Sequence, residues 1–225
     1  MEVDGISIVQ YNLNDERIQY LIQTDKILAK LIRCIGTCEL QLEENGFICL
    51  VKYIIGQQIS DKARETIWLR ICALLGNVTP AVILSTNDES LRKAGLSGRK
   101  IKYIKTLAER VTNGSIAFEK FQTLPNEEVI SQLISVKGIG RWTAEMYLIF
   151  SLGRENVLSR GDGTIKRTIR WMYQLDELPS SVALSEFFAN WADYATIVSA
   201  YLWKAIALGL TQKPFDEVIC LEDNI

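Results

Sequence analysis

Residues 134–145 of the chain read Ile134-Ser135-Val136-Lys137-Gly138-Ile139-Gly140-Arg141-Trp142-Thr143-Ala144-Glu145. An apolar helical pattern from Glu127 to Ile134 leads into Gly-x-Gly, and a second one continues through Phe150. Two glycines two residues apart permit a turn too tight for side chains and let the backbone approach another molecule closely. The N–H groups that open the second helix lack intrahelical partners, so they are a ready site for a phosphate. Taken alone, however, Gly-x-Gly is better explained by an ordinary corner between two helices.

The rest of the chain also shows helical periodicity. Apolar residues recur at helical spacing over residues 18–35, 63–75 and 101–111. Ser60-Asp61 predicts the start of one helix and Gly76-Asn77 its end, and Asn87-Asp88-Glu89 predicts the start of a short helix that Gly95 closes. Strand-like alternation is clearest in residues 5–11. We therefore predict an all-α fold with about ten helices of modest length.

Composition indicates an ordinary globular protein. The chain has 225 residues, of which 48% are hydrophobic and 23% charged, so disorder is not expected. The first residues lack the basic-then-apolar layout of a signal peptide. The longest apolar stretch, residues 195–210, is short for a membrane span and contains Lys204. We expect an intracellular protein without a membrane partner.

The chain contains no histidine, which removes serine–histidine and cysteine–histidine mechanisms and the usual zinc sites. Its five cysteines are an odd number and lie mostly among apolar neighbours, which predicts buried thiols rather than disulfides. Cys34 and Cys38 are four residues apart, a spacing that would place both thiols on one helical face.

Charge is unevenly distributed along the chain, although the net charge is only −2. Residues 91–110 hold seven basic side chains against one acidic, and residues 137–173 hold seven against three. This asymmetry fits a basic binding face on an acidic body, and it fits solvated helix faces equally well.

Three further motifs accompany the Gly-x-Gly turn. They read Tyr53-Ile54-Ile55-Gly56-Gln57-Gln58-Ile59-Ser60-Asp61-Lys62-Ala63, then Ala94-Gly95-Leu96-Ser97-Gly98-Arg99-Lys100, then Arg160-Gly161-Asp162-Gly163-Thr164-Ile165-Lys166-Arg167. With Val136 to Met146, they resemble in order the motifs of the HhH-GPD DNA glycosylase superfamily, and within it the 3-methyladenine DNA glycosylase II branch. That family is named for a helix-hairpin-helix and a Gly/Pro-rich loop that ends in a catalytic aspartate. The resemblance covers residues 46–208.

The resemblance implies a single compact unit, residues 1–225, with two helical lobes and a DNA groove between them. One lobe, residues 46–155, would be a central helical barrel that includes the hairpin. The other would combine residues 15–45 with residues 165–225.

Asp162 takes the place of the family's catalytic carboxylate. Base excision passes through an oxocarbenium-like sugar, and one anion can stabilise that charge and orient the attacking water. An aspartate with an ordinary pKa of about 4 is already ionised at neutral pH. Trp142 stands where bifunctional relatives carry a lysine that forms a Schiff base. The resemblance therefore implies hydrolysis without strand cleavage.

Further roles follow from the same resemblance. Tyr53, Trp142 and Trp203 would stack on the extruded base, and Gln58 would fill the space that the base leaves. The DNA-binding residues would be Gln58, Ser60, Gly138, Gly140, Arg141, Thr143 and Lys166. The backbone carbonyls of Ile134, Val136 and Ile139 would hold a structural Na⁺ or K⁺ ion, and no cofactor is required.

Two features separate the chain from parts of the family. Iron–sulfur members have four closely spaced C-terminal cysteines, whereas this chain has only Cys220 there, so no cluster is expected. Relatives often read Trp-x-Pro-Tyr-Arg near the C-terminus, whereas this chain reads Trp191-Ala192-Asp193-Tyr194-Ala195. The missing arginine removes an expected active-site or DNA-facing charge.

Together these features predict a monomeric, monofunctional DNA glycosylase that excises alkylated purines, such as 3-methyladenine, from damaged double-stranded DNA and so initiates base excision repair. A glycosylase for hypoxanthine, uracil or oxidised guanine is the alternative among enzymes. A helix-hairpin-helix protein that binds damaged DNA without cutting it is the alternative from another class. Asp162 argues against the latter, because a carboxylate near DNA hinders simple phosphate binding.

Overall fold

A computed structural model describes residues 5–219 and confirms the helical fold class. The helices are α1 (Glu16–Thr24), α2 (Lys26–Ile35), α3 (Gly46–Gly56), α4 (Asp61–Leu75), α5 (Pro80–Ser85), α6 (Asp88–Lys93), α7 (Gly98–Thr112), α8 (Phe118–Phe121), α9 (Asn126–Ile134), α10 (Arg141–Phe150), α11 (Gly163–Met172), α12 (Ser181–Ala189), α13 (Ala195–Ala207) and α14 (Phe215–Ile219). Short 3-10 turns cover Ala192–Tyr194 and Leu210–Gln212. Each of these helices is too short or too polar to cross a lipid bilayer.

Capping residues set the helix boundaries as the sequence predicts. The Ser60 hydroxyl accepts a hydrogen bond from the Ala63 N–H and opens α4, which ends at Gly76 with a φ of 68°. The Asn87 side chain opens α6 in the same way. Each of these side chains satisfies an N–H group that the first helical turn leaves unpaired.

A small two-stranded sheet accompanies the helices. It pairs β1 (Ile6–Tyr11), which the alternation at residues 5–11 predicts, with β2 (Cys38–Glu43), which the sequence analysis missed. The expectation that Cys34 and Cys38 share a helical face is wrong, because α2 ends at Ile35 and Cys38 begins β2. Gly36 makes the break with a φ of 68°, a value that glycine adopts without strain.

The four cysteines within the described residues form no disulfides. Cys38 and Cys49 are buried, whereas Cys34 and Cys72 are half-buried. Burial raises the pKa of the Cys38 thiol to about 11 and raises that of Cys49 further, since desolvation disfavours a thiolate. Cys220 lies outside the described residues.

The chain divides into two compact units. Unit 1 consists of Leu42–Gly153 with the described residues up to Ser7, and unit 2 consists of Ile8–Gln41 with the described chain from Arg154 onward. In unit 1, α10 packs against α3 and α9, and α7 packs against α3 and α5. In unit 2, α13 packs against α11 and α2. Each unit buries its own apolar side chains, for example Leu50 and Ile104 in unit 1 and Ile169 and Leu202 in unit 2.

Candidate functional site

The hairpin in unit 1 joins α9 to α10 and has the form that Gly-x-Gly predicts. Gly138 adopts a φ of 99°, and the Ile139 N–H donates to the Val136 carbonyl at 3.0 Å to close the turn. Gly140 is the N-cap residue of α10 and has no side chain with which to cap it. The first N–H groups of α10 therefore keep the partial positive charge of a helix N-terminus.

The two hairpin glycines are required for different reasons. A Cβ atom at Gly138 would lie 2.1 Å from Cγ of the Tyr103 ring, so α7 packs directly on the turn. A Cβ atom at Gly140 would have no neighbour within 4 Å. Gly138 therefore serves close packing within the protein, whereas Gly140 borders open space.

Arg141 begins α10 and contacts two carboxylates. Its Nη1 donates to Glu127 Oε2 at 3.1 Å, and its Nε donates to Glu145 Oε1 at 3.0 Å. These carboxylates raise the pKa of Arg141, with Glu127 as the larger cause. The guanidinium thus links the first turn of α9 to the first turns of α10.

Two of the three predicted stacking residues meet in unit 1. The rings of Tyr53 and Trp142 are 5.9 Å apart in an edge-to-face arrangement, and Phe150 lies 5.5 Å from Tyr53. Arg64 places its guanidinium 5.8 Å from the centre of the Tyr53 ring. Tyr53 and Trp142 are half-buried, as a stacking surface requires. The third residue, Trp203, lies half-buried on α13 of unit 2.

The turn between α3 and α4 exposes three consecutive side chains, those of Gln58, Ile59 and Ser60. Gln58 is exposed and adopts a φ of 59°, which is uncommon for a residue other than glycine. Ile59 follows with 37% of its surface exposed. Ser60, a predicted DNA contact, uses its hydroxyl to cap α4.

Asp162 caps α11 in unit 2. Its Oδ1 accepts hydrogen bonds from the Thr164 N–H at 2.8 Å and from the Ile165 N–H at 2.9 Å. Asp162 is only 7% exposed, so this carboxylate is largely withdrawn from solvent. Lys166, a predicted DNA contact, lies half-buried one turn further along α11.

The loop before Asp162 is anchored to α13. The Thr196 hydroxyl donates to the Arg154 carbonyl at 2.7 Å and accepts from the Val157 N–H at 3.2 Å. The Thr196 N–H donates to the Glu155 carbonyl at 2.8 Å. A core helix therefore fixes the approach to Asp162.

A model of the HhH-GPD superfamily, described as base excision DNA repair proteins, matches residues 51–193. The chain belongs to this superfamily.

Relatives and solved structures agree with the HhH-GPD assignment. DNA-3-methyladenine glycosylase 1 of Schizosaccharomyces pombe is 36% identical over 169 residues, which cover 73% of this chain and 74% of that protein. The structure of a DNA-3-methyladenine glycosidase from Bacillus halodurans matches with a TM-score of 0.77 and 36% identity, covering 88% of this chain and 92% of that one. The structure of 3-methyladenine DNA glycosylase Mag1 from S. pombe in complex with abasic DNA matches with a TM-score of 0.75 and 29% identity, covering 85% of this chain and 96% of that one.

The carbonyl groups of the HhH-GPD hairpin suit a monovalent cation. Ile134, Val136 and Ile139 offer neutral oxygens, the hard donors that bind alkali and alkaline-earth ions. The Val136 carbonyl already accepts from the Ile139 N–H, and its second lone pair is open to another partner. Within residues 5–219, no cluster of acidic, cysteine or histidine side chains could hold a metal ion. The three hairpin carbonyls would be the ligands of such an ion.

A buried alanine, Ala195, stands where HhH-GPD relatives often carry an arginine. Ala195 is 2% exposed and begins α13 directly after the Ala192–Tyr194 turn. A buried alanine leaves no room for a long charged side chain. The departure from Trp-x-Pro-Tyr-Arg is therefore built into the core of unit 2.

The basic stretch at residues 91–110 contains several lysines that already have partners. Lys93 pairs with Glu89 at 2.9 Å, and Lys105 pairs with Asp88 at 2.6 Å. Lys100 donates to the Ile55 carbonyl at 2.6 Å, and burial lowers its pKa. These contacts favour structural roles for part of this stretch.

Sequence analysis missed two contacts of the hairpin: the Gln57 side chain donates to the Gly138 carbonyl, and the Tyr103 ring packs on Gly138. It also missed the bond from Lys100 to the Ile55 carbonyl of α3. Gln57 and Lys100 lie inside motifs that the sequence singled out, but their partners are distant in sequence. The Tyr103 contact is signalled only indirectly, by the need for glycine at position 138.

Proposed function

We propose that the chain is a monofunctional DNA glycosylase that flips alkylated purines of the 3-methyladenine type out of the duplex and hydrolyses their N-glycosidic bond, initiating base excision repair. The buried Asp162 carboxylate carries the proposal, because withdrawing a charge from water costs free energy and an uncharged asparagine would cap α11 equally well. The similarity to proteins named 3-methyladenine glycosylases supports the same substrate class.

The proposed reaction breaks the bond between C1′ of the sugar and the base nitrogen, and the electron pair leaves with the base. A purine alkylated at a ring nitrogen carries a positive charge and departs neutral, so this step needs no general acid. A step that needs no general acid is consistent with a chain that contains no histidine. Asp162 stabilises the oxocarbenium-like sugar, orients the water that attacks C1′ and accepts its proton.

Tyr53 and Trp142 provide the stacking surface in this proposal. A cationic base on an aromatic face gains about 0.5–2 kcal/mol, which favours alkylated over undamaged purines. Trp142 has no amine, so it cannot attack the sugar, and the product strand stays intact with an abasic site.

Phosphate binding falls to the hairpin in this proposal. The N–H groups at the start of α10 would contact the DNA backbone, with Gly140 allowing close approach and the Arg141 and Lys166 side chains contributing charge. Thr143 is only 2% exposed and its hydroxyl accepts from Gln57, so Thr143 would contribute through its backbone N–H. Carbonyls of Ile134, Val136 and Ile139 would hold Na⁺ or K⁺, which adds positive charge beside the phosphate. We further propose that the protein acts as an intracellular monomer.

Incubation with methylated duplex DNA, followed by chromatography of the released bases, tests the substrate class. We expect 3-methyladenine in the supernatant and an intact strand that breaks only on heating in alkali. Release of hypoxanthine, uracil or oxidised guanine instead would show that the enzyme acts on a different class of damaged base. Damage-specific binding without release would make the protein a sensor.

Borohydride trapping tests the monofunctional mechanism. We expect no covalent protein–DNA adduct, because Lys137 and Lys166 lie off the position that Trp142 occupies. A trapped adduct that disappears in Lys137→Ala or Lys166→Ala would overturn the mechanism.

A further inference from the structure

Gln57 joins two segments of unit 1 that are distant in sequence. Its side-chain nitrogen donates to the Gly138 carbonyl at 2.9 Å and to the Thr143 hydroxyl at 3.3 Å. Because a carbonyl oxygen can only accept, the amide nitrogen of Gln57, and not its oxygen, must face the turn. The bond therefore has a defined direction that a methionine or a glutamate could not reproduce at neutral pH.

The Gln57 bond completes the fixation of one peptide group. The Gly138 carbonyl accepts from Gln57, and the Ile139 N–H of the same peptide donates to Val136 at 3.0 Å. Since a peptide group is planar, holding both ends fixes its rotation. Its orientation in turn sets the direction in which the chain enters Gly140 and the start of α10.

Gln57 also begins the exposed turn between α3 and α4. Gln58 and Ile59 follow it directly, and the Ile59 N–H donates to the Gly56 carbonyl at 3.3 Å. On the other side of Gln57, the Ile55 carbonyl accepts from Lys100 at 2.6 Å. The α3 end of the turn is therefore held both by α7, through Lys100, and by the hairpin, through Gln57.

We propose that Gln57 is a positioning residue that couples the Gln58–Ile59 turn to the hairpin. Phosphate binding at the start of α10 and entry of Gln58 into the base stack then occur together, at a fixed position relative to each other. The inference rests on the proposed function, because only a protein that opens the duplex needs both contacts at once. Gln57 itself acts through the turn and the hairpin, without touching the reacting atoms.

Gln57→Met tests this coupling, since methionine has similar length and no amide. We expect the variant to bind undamaged and abasic duplexes about fivefold more weakly, the factor that corresponds to one lost hydrogen bond of about 1 kcal/mol. The salt dependence should stay unchanged, because no charge is removed. The matched control is Gln10→Met, which removes a side-chain bond to Glu39 within unit 2 and should bind like wild type.

A double-mutant cycle with Gln58→Ala separates coupling from local damage. In the wild-type background, Gln58→Ala should slow single-turnover base release. In the Gln57→Met background, Gln58→Ala should change the logarithm of the release rate by less than half as much, because the turn is no longer held in position by the hairpin. Additive effects, or wild-type binding by Gln57→Met, would overturn the inference.

Gln57→Glu keeps the test decisive if Gln57→Met unfolds. A carboxylate cannot donate to the Gly138 carbonyl, whereas a protonated carboxyl can. Its affinity for undamaged DNA relative to wild type should therefore recover about threefold between pH 8 and pH 4, since the ordinary glutamate pKa of about 4.3 lies between these values. A constant ratio would contradict the role. A wild-type protein that releases no alkylated base would refute the proposed function and leave this binding comparison intact.

Discussion

Two helices of the molecule begin in opposite ways. At the N-terminus of α10 in unit 1, Gly140 offers no side chain that could cap the first turn. At the N-terminus of α11 in unit 2, Asp162 closes the helix with its own carboxylate. The same partial positive charge would thus serve the proposed phosphate binding in one unit, and it stabilises a buried anion in the other. One local geometry supports two different functions, and the N-cap residue decides between them.

Removing the charge at α11 should have the largest effect on activity. Asp162→Asn keeps the cap, because asparagine caps helices as well as aspartate does. Single-turnover base release should fall by about 10²–10³-fold, the usual loss when an electrostatic contribution to a transition state is removed. Lesion binding and melting temperature should stay near wild type. Release within twofold of wild type would rule out the role.

Filling the hairpin turn should have the next largest effect. Gly138→Ala combines a φ of 99° with a clash against Tyr103, so the free energy of unfolding should fall by roughly 3 kcal/mol. Binding to all duplexes should weaken, because phosphate contacts carry no sequence information.

Gly114→Ala is the matched control for Gly138→Ala. Gly114 also has a positive φ, of 75°, but its Cβ position is open, so that variant should lose only about 1–2 kcal/mol. Equal losses in urea unfolding of the two variants would show that Tyr103 does not restrict the turn.

Gly140→Asp would give α10 the N-cap that α11 has. The Cβ position is open and the φ of −93° is allowed, so the fold should keep its stability or gain a few tenths of a kcal/mol. DNA affinity should fall about tenfold, since the new carboxylate takes the N–H groups and repels phosphate. Gly140→Asn caps without charge and should lose less affinity. Equal affinities of Gly140→Asp and wild type would place the phosphate contact elsewhere.

The smallest effect isolates the capping role of Asp162. Asp162→Ala should be less stable than Asp162→Asn by about 1 kcal/mol, because alanine cannot accept from Thr164 and Ile165. Thermal unfolding of the two variants measures this difference. Equal stabilities would mean that the cap adds nothing to α11.

Signals local in sequence predicted much of this fold. Ser60 and Asn87 cap helices because their side chains reach N–H groups two or three residues ahead. Gly138 and Gly140 predicted the hairpin, because the turn requires the backbone freedom of glycine. The family motifs then placed Asp162, Trp142 and Tyr53, and the structure brings the last two together.

The features that sequence missed depend on contacts between distant residues. Strand β2 follows α2 closely, so the four-residue spacing of Cys34 and Cys38 was the same as within a helix. Residues 38–43 form a strand only because they pair with β1. Gln57 reads as part of a motif, but its partner lies 81 residues away. The pattern Asp-Gly-Thr could have predicted that Asp162 caps a helix. The family resemblance drew attention to its chemistry instead.

The order of the two units along the chain has a consequence for synthesis. Most of unit 1 is a single segment, Leu42–Gly153, placed inside unit 2, whose parts flank it. On a translating ribosome, the hairpin and its aromatic neighbours are complete before α11 and α13 have been made. Helix α2 is therefore made well before α13 and α14, the unit 2 helices against which it packs. Asp162 leaves the ribosome after the residues of the proposed DNA-binding hairpin.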